Sequence, residues 1–401
     1  MTARRISPAI VVICGGIILL LSFGIRSSFG IFLQPISIDL NWSREVFAFS
    51  LALQNLLWGL SQPFAGIIAD RFGAGRVIVV GGLFYAVGTS LMAFTSTPLL
   101  AHISAGALVG IGLSGCGFSI VLAAVGRSVS EEKRGMALGI ASAAGSFGQF
   151  ALVPMGQAFV QEYGWSTSFL LLGSMSLLIV PLAAALVGKP GTATGAGAAQ
   201  TVGESLREAG GHASFLYLNA GYYVCGFHVA FIATHLPSYV VDLGLAPELG
   251  AWALGLVGLA NVFGALFAGV LGDRFSKKYL LSSIYILRAV VITIFVLTPP
   301  SVASVLIFSG TIGLLWLSTV PLTSALVMQM FGFKHMSMLL GLVFLSHQLG
   351  SFTGAWLGGY IFDVTGSYDY AWWISVALGI ASSMLHWPID ERPVGSLASA
   401  H

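Results

Sequence analysis

Apolar stretches of membrane-crossing length, separated by short polar or glycine-containing breaks, follow one another along almost the whole chain. They predict helices near 8-33, 46-69, 77-96, 99-126, 136-160, 166-187, 214-241, 250-272, 279-298, 301-330, 337-362 and 370-388. A helix needs roughly 20 residues to cross a hydrocarbon core of about 30 Å, and each stretch is close to that length or longer. Runs such as Ile6 to Phe32 and Phe169 to Val187 are continuous, whereas strands of a membrane barrel alternate apolar and polar residues over about ten positions. The expectation is an all-α membrane protein with twelve transmembrane helices and no room for a soluble domain.

The stretch from Gly188 to His212, rich in Gly, Ala and Thr, has no sustained apolar period and divides the helices six and six. The expected layout is an N-terminal bundle over 1-187, a cytoplasmic linker over 188-213 and a C-terminal bundle over 214-401. An internal repeat supports the division. Phe64-Ala65-Gly66 followed by Asp70-Arg71-Phe72 recurs as Phe267-Ala268-Gly269 followed by Asp273-Arg274-Phe275, and Gly139, Gly148 and Gly164 pair with Gly341, Gly350 and Gly366. Two pseudo-symmetric six-helix bundles in parallel repeat place a binding site near the midplane between them.

Composition agrees with the pattern: 56% of 401 residues are hydrophobic and 8% charged, and mean hydropathy is +0.91. Soluble proteins are about a quarter charged. A net charge of +2 gives no basis for nucleic-acid binding. Of seventeen Lys and Arg, all but Arg26, Arg44 and Arg288 fall in segments on one side of the membrane if the N-terminus starts inside, and Arg44 is alone outside. That asymmetry predicts a multi-pass protein with both termini cytoplasmic. The short tails and linker suggest a bacterial cytoplasmic (inner) membrane; membrane lipid is the expected surroundings and a monomer the expected functional unit. Cys14, Cys116 and Cys225 lie in apolar runs at spacings that match no metal site or disulfide framework. The first apolar run is too long for a secretory leader and lacks a small-residue cleavage site.

The segment Gly66-Ile67-Ile68-Ala69-Asp70-Arg71-Phe72-Gly73-Ala74-Gly75-Arg76 resembles the signature loop between helices 2 and 3 of the major facilitator superfamily. With the second copy around Asp273 and Arg274, the resemblance spans the chain and implies that fold. Gly66, Asp70, Arg71, Gly73, Arg76, Asp273 and Arg274 are then candidates for conformational gating, holding the two halves together on the inside. Topology alone accounts for the cations, though not for a repeated Asp.

A narrower resemblance is to the monocarboxylate porters and oxalate/formate antiporters. Lys133-Arg134-Gly135-Met136-Ala137-Leu138-Gly139, Ala144-Gly145-Ser146-Phe147-Gly148 and Ser28-Phe29-Gly30-Ile31-Phe32 carry it. Two departures stand out. The basic position that many members have in helix 8 is Ala265 here, and the position four earlier, often acidic, is Asn261; the family's helix 1 lysine falls at Ser27, next to Arg26. The basic position of helix 11 in the oxalate transporters aligns with His347. A cationic site with relocated charges is what the resemblance implies.

All fifteen acids can be placed at loops or helix ends, yet Arg26 lies inside helix 1 and Arg288 near the middle of helix 9. A buried Arg costs about 2.5 to 3.5 kcal/mol even on the lenient insertion scale. A bound anion is one compensating partner, because Arg offers a planar donor fork to a carboxylate. The alternatives are snorkelling or pairing with Asp39 or Glu45 for Arg26, and backbone carbonyls for Arg288. His228 and His347 lie near the midplane on cavity-lining helices and are either packed core residues or ligands for a carboxylate or a proton. His235 reads as structural. Asn55 and Asn261 either orient a ligand or bond between helices.

No phosphate-binding glycine loop and no nucleophile, base and acid set occurs in the spans, so neither ATP drive nor an enzyme is expected, nor any cofactor or metal. The expected function is secondary active transport of a small organic anion, a monocarboxylate or related carboxylate. The substrate-binding candidates are Arg26, Asn55, His228, Asn261, Arg288 and His347, with protons as a candidate second partner. Export of lipophilic compounds and a non-transporting receptor are the rivals.

Overall fold

The structure, a computed structural model, describes residues 7–187, 210–332 and 336–393. Most of the linker expected over 188-213 lies outside the described residues. Among the described residues, twelve helices cross the protein. They are α1 (Pro8–Asp39), α2 (Arg44–Phe72), α3 (Ala74–Phe94), α4 (Pro98–Ser128), α5 (131–163), α6 (165–186), α7 (Ala213–Asp242), α8 (Pro247–Arg274), α9 (Lys277–Leu297), α10 (Val302–Phe331), α11 (Met336–Thr365) and α12 (Asp369–His386). The boundaries expected from hydropathy hold to within several residues. The largest shifts are at α1, which continues through a 3-10 turn at Ser28–Phe32, and α5, which starts five residues early.

α1 packs on α5 within the first bundle and α7 packs on α11 within the second, so the repeat in sequence is a repeat in packing. Glycine permits both contacts. A Cβ at Gly148 would sit 2.2 Å from the Leu20 carbonyl oxygen, and one at the repeat-equivalent Gly350 would sit 1.9 Å from that of Tyr223. The turns that follow are also matched: Gly164 (φ 74°) separates α5 from α6 and Gly366 (φ 72°) separates α11 from α12, a backbone conformation that costs glycine least.

Two helices are interrupted mid-membrane. α4 breaks at Gly117, where the backbone is extended, and α10 breaks over 316–318, just before the repeat-equivalent Thr319. A break inside a bilayer is tolerated only where side chains satisfy the freed backbone groups. At α4 Gln62 Nε2 donates to the Ser114 carbonyl (3.3 Å) and Ser22 Oγ to that of Cys116 (3.4 Å).

The bundles meet tightly towards one face and part towards the other. On the distal face, away from the two chain ends, Gly359 packs on Glu45 and Ala48, and Gly30 on the Ala233 carbonyl. Contact between halves reaches the level of Gly59 against Gln348 and Gly258 against Gln149. Towards the terminal face, Gly66, Gly139, Gly269 and Gly341 have nothing within 4 Å of a built Cβ. The molecule is closed on the distal side and open on the terminal side.

Candidate anion site and distal latch

At the midplane, α1 presents Arg26 towards α2. Its Nη2 donates to Asn55 Oδ1 at 2.6 Å, and its guanidinium lies over the Trp58 ring at 5.2 Å. Asn55 is fixed in turn because its Nδ2 donates to the Leu51 carbonyl at 2.8 Å. Arg26 forms no ion pair among the described residues and its buried Nε has no hydrogen-bond partner, so neither Asp39 nor Glu45 neutralises it. It is half-buried, deep in the bundle yet in contact with open space.

From Trp58 a run of rings crosses to the other half. Trp58 meets Phe344 of α11 edge-on at 5.3 Å, Phe344 lies parallel to His347 at 6.2 Å, and His347 packs on Tyr222 of α7 at 5.1 Å. His347 is half-buried and its Nδ1 is 3.3 Å from Gln348 Oε1. Arg26, Asn55 and His347 therefore belong to one layer between the bundles.

The other three candidates lie elsewhere. Arg288 is fully buried and turned onto the break in α10, where its Nε and Nη2 donate to the Leu315 carbonyl (3.1 and 2.6 Å) and Nη2 also reaches the Trp316 carbonyl. Asn261 braces the same break. Its Oδ1 accepts from the Leu317 N–H (2.9 Å), and its Nδ2 donates to Ser146 Oγ of the opposite half (3.0 Å). His228 is buried against α12, with Nε2 2.8 Å from the Ser375 carbonyl.

On the distal face stands a constellation that hydropathy and spacing did not single out. Arg44 at the start of α2 reaches across to Asp242 at the end of α7, Nη1 and Nη2 donating to its two oxygens at 2.5 and 2.7 Å. Nη1 also donates to the Tyr368 hydroxyl (3.0 Å), and the guanidinium stacks 3.7 Å above Phe362. Asp363 of α11 accepts from the backbone N–H groups of Arg44 (2.9 Å) and Glu45 (2.7 Å), so the free amides that begin α2 are capped by the other half. Trp356 Nε1 donates to Glu45 Oε1 at 2.7 Å. The available signal was Arg44 as the lone outside cation; no sequence spacing names partners 198 and 319 positions away.

The terminal-face motif is unengaged in this state. Asp70 is 79% exposed and 4.0 Å from Arg127 of its own half. Arg71, Arg76, Asp273 and Arg274 are exposed, Gly66 faces open space, and Gly73 (φ 93°) makes the turn between α2 and α3.

The sequence profile of the Major Facilitator Superfamily matches residues 15–317 and 218–400. The chain belongs to this superfamily. Among curated relatives, Monocarboxylate transporter 13 of Rattus norvegicus is 26% identical over 382 residues, covering 90% of this chain and 84% of its own. An uncharacterised MFS-type transporter, YcxA, of Bacillus subtilis (strain 168) is 27% identical over 359 residues, covering 86% and 85%. Among solved structures, a D-xylose-proton symporter superposes with a TM-score of 0.76 at 16% identity, over 95% of this chain and 97% of that one. A bacterial homologue of the human lysosomal transporter Spinster, inward-facing and occupied, superposes with a TM-score of 0.74 at 14% identity, over 96% and 97%. This MFS chain is thus a multi-pass transporter and not an enzyme, with a fold consistent with the twelve helices that the apolar runs predicted.

Proposed function

We propose that this MFS protein is a secondary active transporter of a small organic anion, a monocarboxylate or related carboxylate, working by alternating access. The observation that carries this reading is Arg26, a guanidinium at the midplane that meets an amide and an aromatic face but no carboxylate. The cost of holding that charge in an apolar interior falls when an anion arrives, and a carboxylate matches its unused donors. The likeness to Monocarboxylate transporter 13 is in keeping with this substrate class.

In the mechanism, Arg26 and Asn55 hold the carboxylate from the N-terminal half, and His347 faces it from the C-terminal half. The halves rock about the occupied site. The Arg44–Asp242 latch closes the distal side in one state; the loops bearing Asp70, Arg71, Asp273 and Arg274 close the terminal side in the other. Basic residues crowd the terminal face, which is therefore assigned to the cytoplasm of a bacterial inner membrane. The coupling proton, in symport, rides on His347 or on the substrate; anion exchange needs no carrier on the protein.

Purified protein should gain thermal stability from carboxylates, since a ligand that binds the folded state raises its stability by mass action. Arg26→Ala should lose that gain while remaining folded, and counterflow of labelled carboxylate in proteoliposomes should fall with it. Undiminished carboxylate stabilisation of Arg26→Ala refutes the assignment.

A further inference from the structure

The geometry points to a narrower cargo: a monocarboxylate whose remainder is a flat aromatic group, with Phe344, Phe118 and Phe23 as the residues that select it. This rests on the carboxylate site at Arg26 proposed above. Three observations lead to it.

The polar groups touching that guanidinium are already committed. Both ends of the Asn55 amide are bonded, Trp58 Nε1 donates to Gln62 Oε1 at 3.1 Å, and Gln62 Nε2 is spent on the Ser114 carbonyl. A hydroxyl or keto group lying against Asn55, Trp58 or Gln62 would meet polar atoms already bonded to one another, and a polar group left unsatisfied loses its hydration without compensation. A second carboxylate would need a second cation, and Arg288 is tied to the carbonyls at the α10 break.

The ring over which Arg26 lies, Trp58, is itself part of an aromatic cluster. Phe23 lies 4.2 Å from Phe118 and 5.7 Å edge-on from Trp58, which meets Phe344 at 5.3 Å. Phe23, Phe118 and Phe344 pack against the core on one side and are only half-buried, so part of each ring is not covered by protein. Aromatic rings hold another ring in edge-to-face or offset geometry better than they hold a short aliphatic chain. The Trp58–Phe344 contact also joins the two halves, so a ring bound beside it reports directly on their closure.

The test is binding to purified full-length protein by calorimetry, with phenylacetate and benzoate against acetate, pyruvate and lactate, and benzyl alcohol as a ring without a carboxylate. The expected result is at least tenfold tighter binding of the aromatic acids than of the short acids and no measurable binding of the alcohol. Phe344→Leu should lower phenylacetate affinity about fivefold or more while changing acetate less than twofold, and Phe118→Leu provides a second variant should the first misfold. Equal or tighter binding of acetate, pyruvate or lactate overturns the aromatic assignment and leaves the carboxylate site standing. Binding of benzyl alcohol as tight as phenylacetate, or no binding of any acid, overturns the carboxylate site and the inference with it.

Discussion

Replacing Asp242 by alanine removes the carboxylate that receives both Nη groups of Arg44, and the consequence should be a distal face that opens. The Arg44 side chain is 10% exposed and that of Asp242 27%, so the pair lies between two limits. Exposed pairs contribute about 0.2–1 kcal/mol, and breaking a fully buried one costs about 3–5 kcal/mol. An intermediate loss of about 2 kcal/mol shifts the closed-to-open ratio roughly 30-fold. If the distal-open state holds about 1% of the population beforehand, it should hold about a quarter afterwards. Tyr368 and Phe362 still contact Arg44 in the variant, which keeps the effect below the upper limit. Spin labels at Ser96 and Ala303, exposed at the distal ends of the two halves, would report the separation by pulsed resonance. A new long-distance population is expected in Asp242→Ala and not in Arg127→Ala, whose exposed partner Asp70 lies in the same half. An unchanged distance distribution in Asp242→Ala would show that apolar contact between α2 and α11 closes this face alone, and would refute the latch.

Gly30→Leu should have the same direction by another route. Even a Cβ there would stand 2.0 Å from the Ala233 carbonyl oxygen, so the distal halves cannot close, and transport should fall at least tenfold with the long-distance population dominant. Arg288→Gln should lower thermal stability, because one carbonyl at the α10 break loses its partner at a cost of about 1–3 kcal/mol, while carboxylate affinity stays within threefold. A larger loss of affinity would place Arg288 in the binding site. Asn261→Ala removes a bond to Ser146 and a bond to the Leu317 N–H, and interhelical bonds of this kind average about 0.6 kcal/mol. Denaturation in detergent should show a loss below about 2 kcal/mol, with transport reduced less than in Arg26→Ala.

The fold was legible in the sequence because its causes are local and repeated. Hydrocarbon thickness sets the length of each apolar run, and cation placement sets which ends lie together. Glycines recurring at a fixed offset mark where two helices touch, as at Gly148 and Gly350, or where the chain turns, as at Gly164 and Gly366. Arg26 was also visible, since an arginine in an apolar run demands a partner that the run does not contain. What the sequence left open was direction and distance between helices. Arg26 and Arg288 look alike in sequence, each a lone cation in an apolar helix. Packing turns one towards the space between the bundles and the other onto two backbone carbonyls. The Arg44–Asp242–Asp363 latch and the ring layer from Trp58 to Tyr222 are assembled from helices far apart in the chain, so no local pattern encodes them. Hydrophobicity fixes which residues enter the membrane; only the way the two halves lean together decides which polar groups among them find a partner and which are left for a ligand.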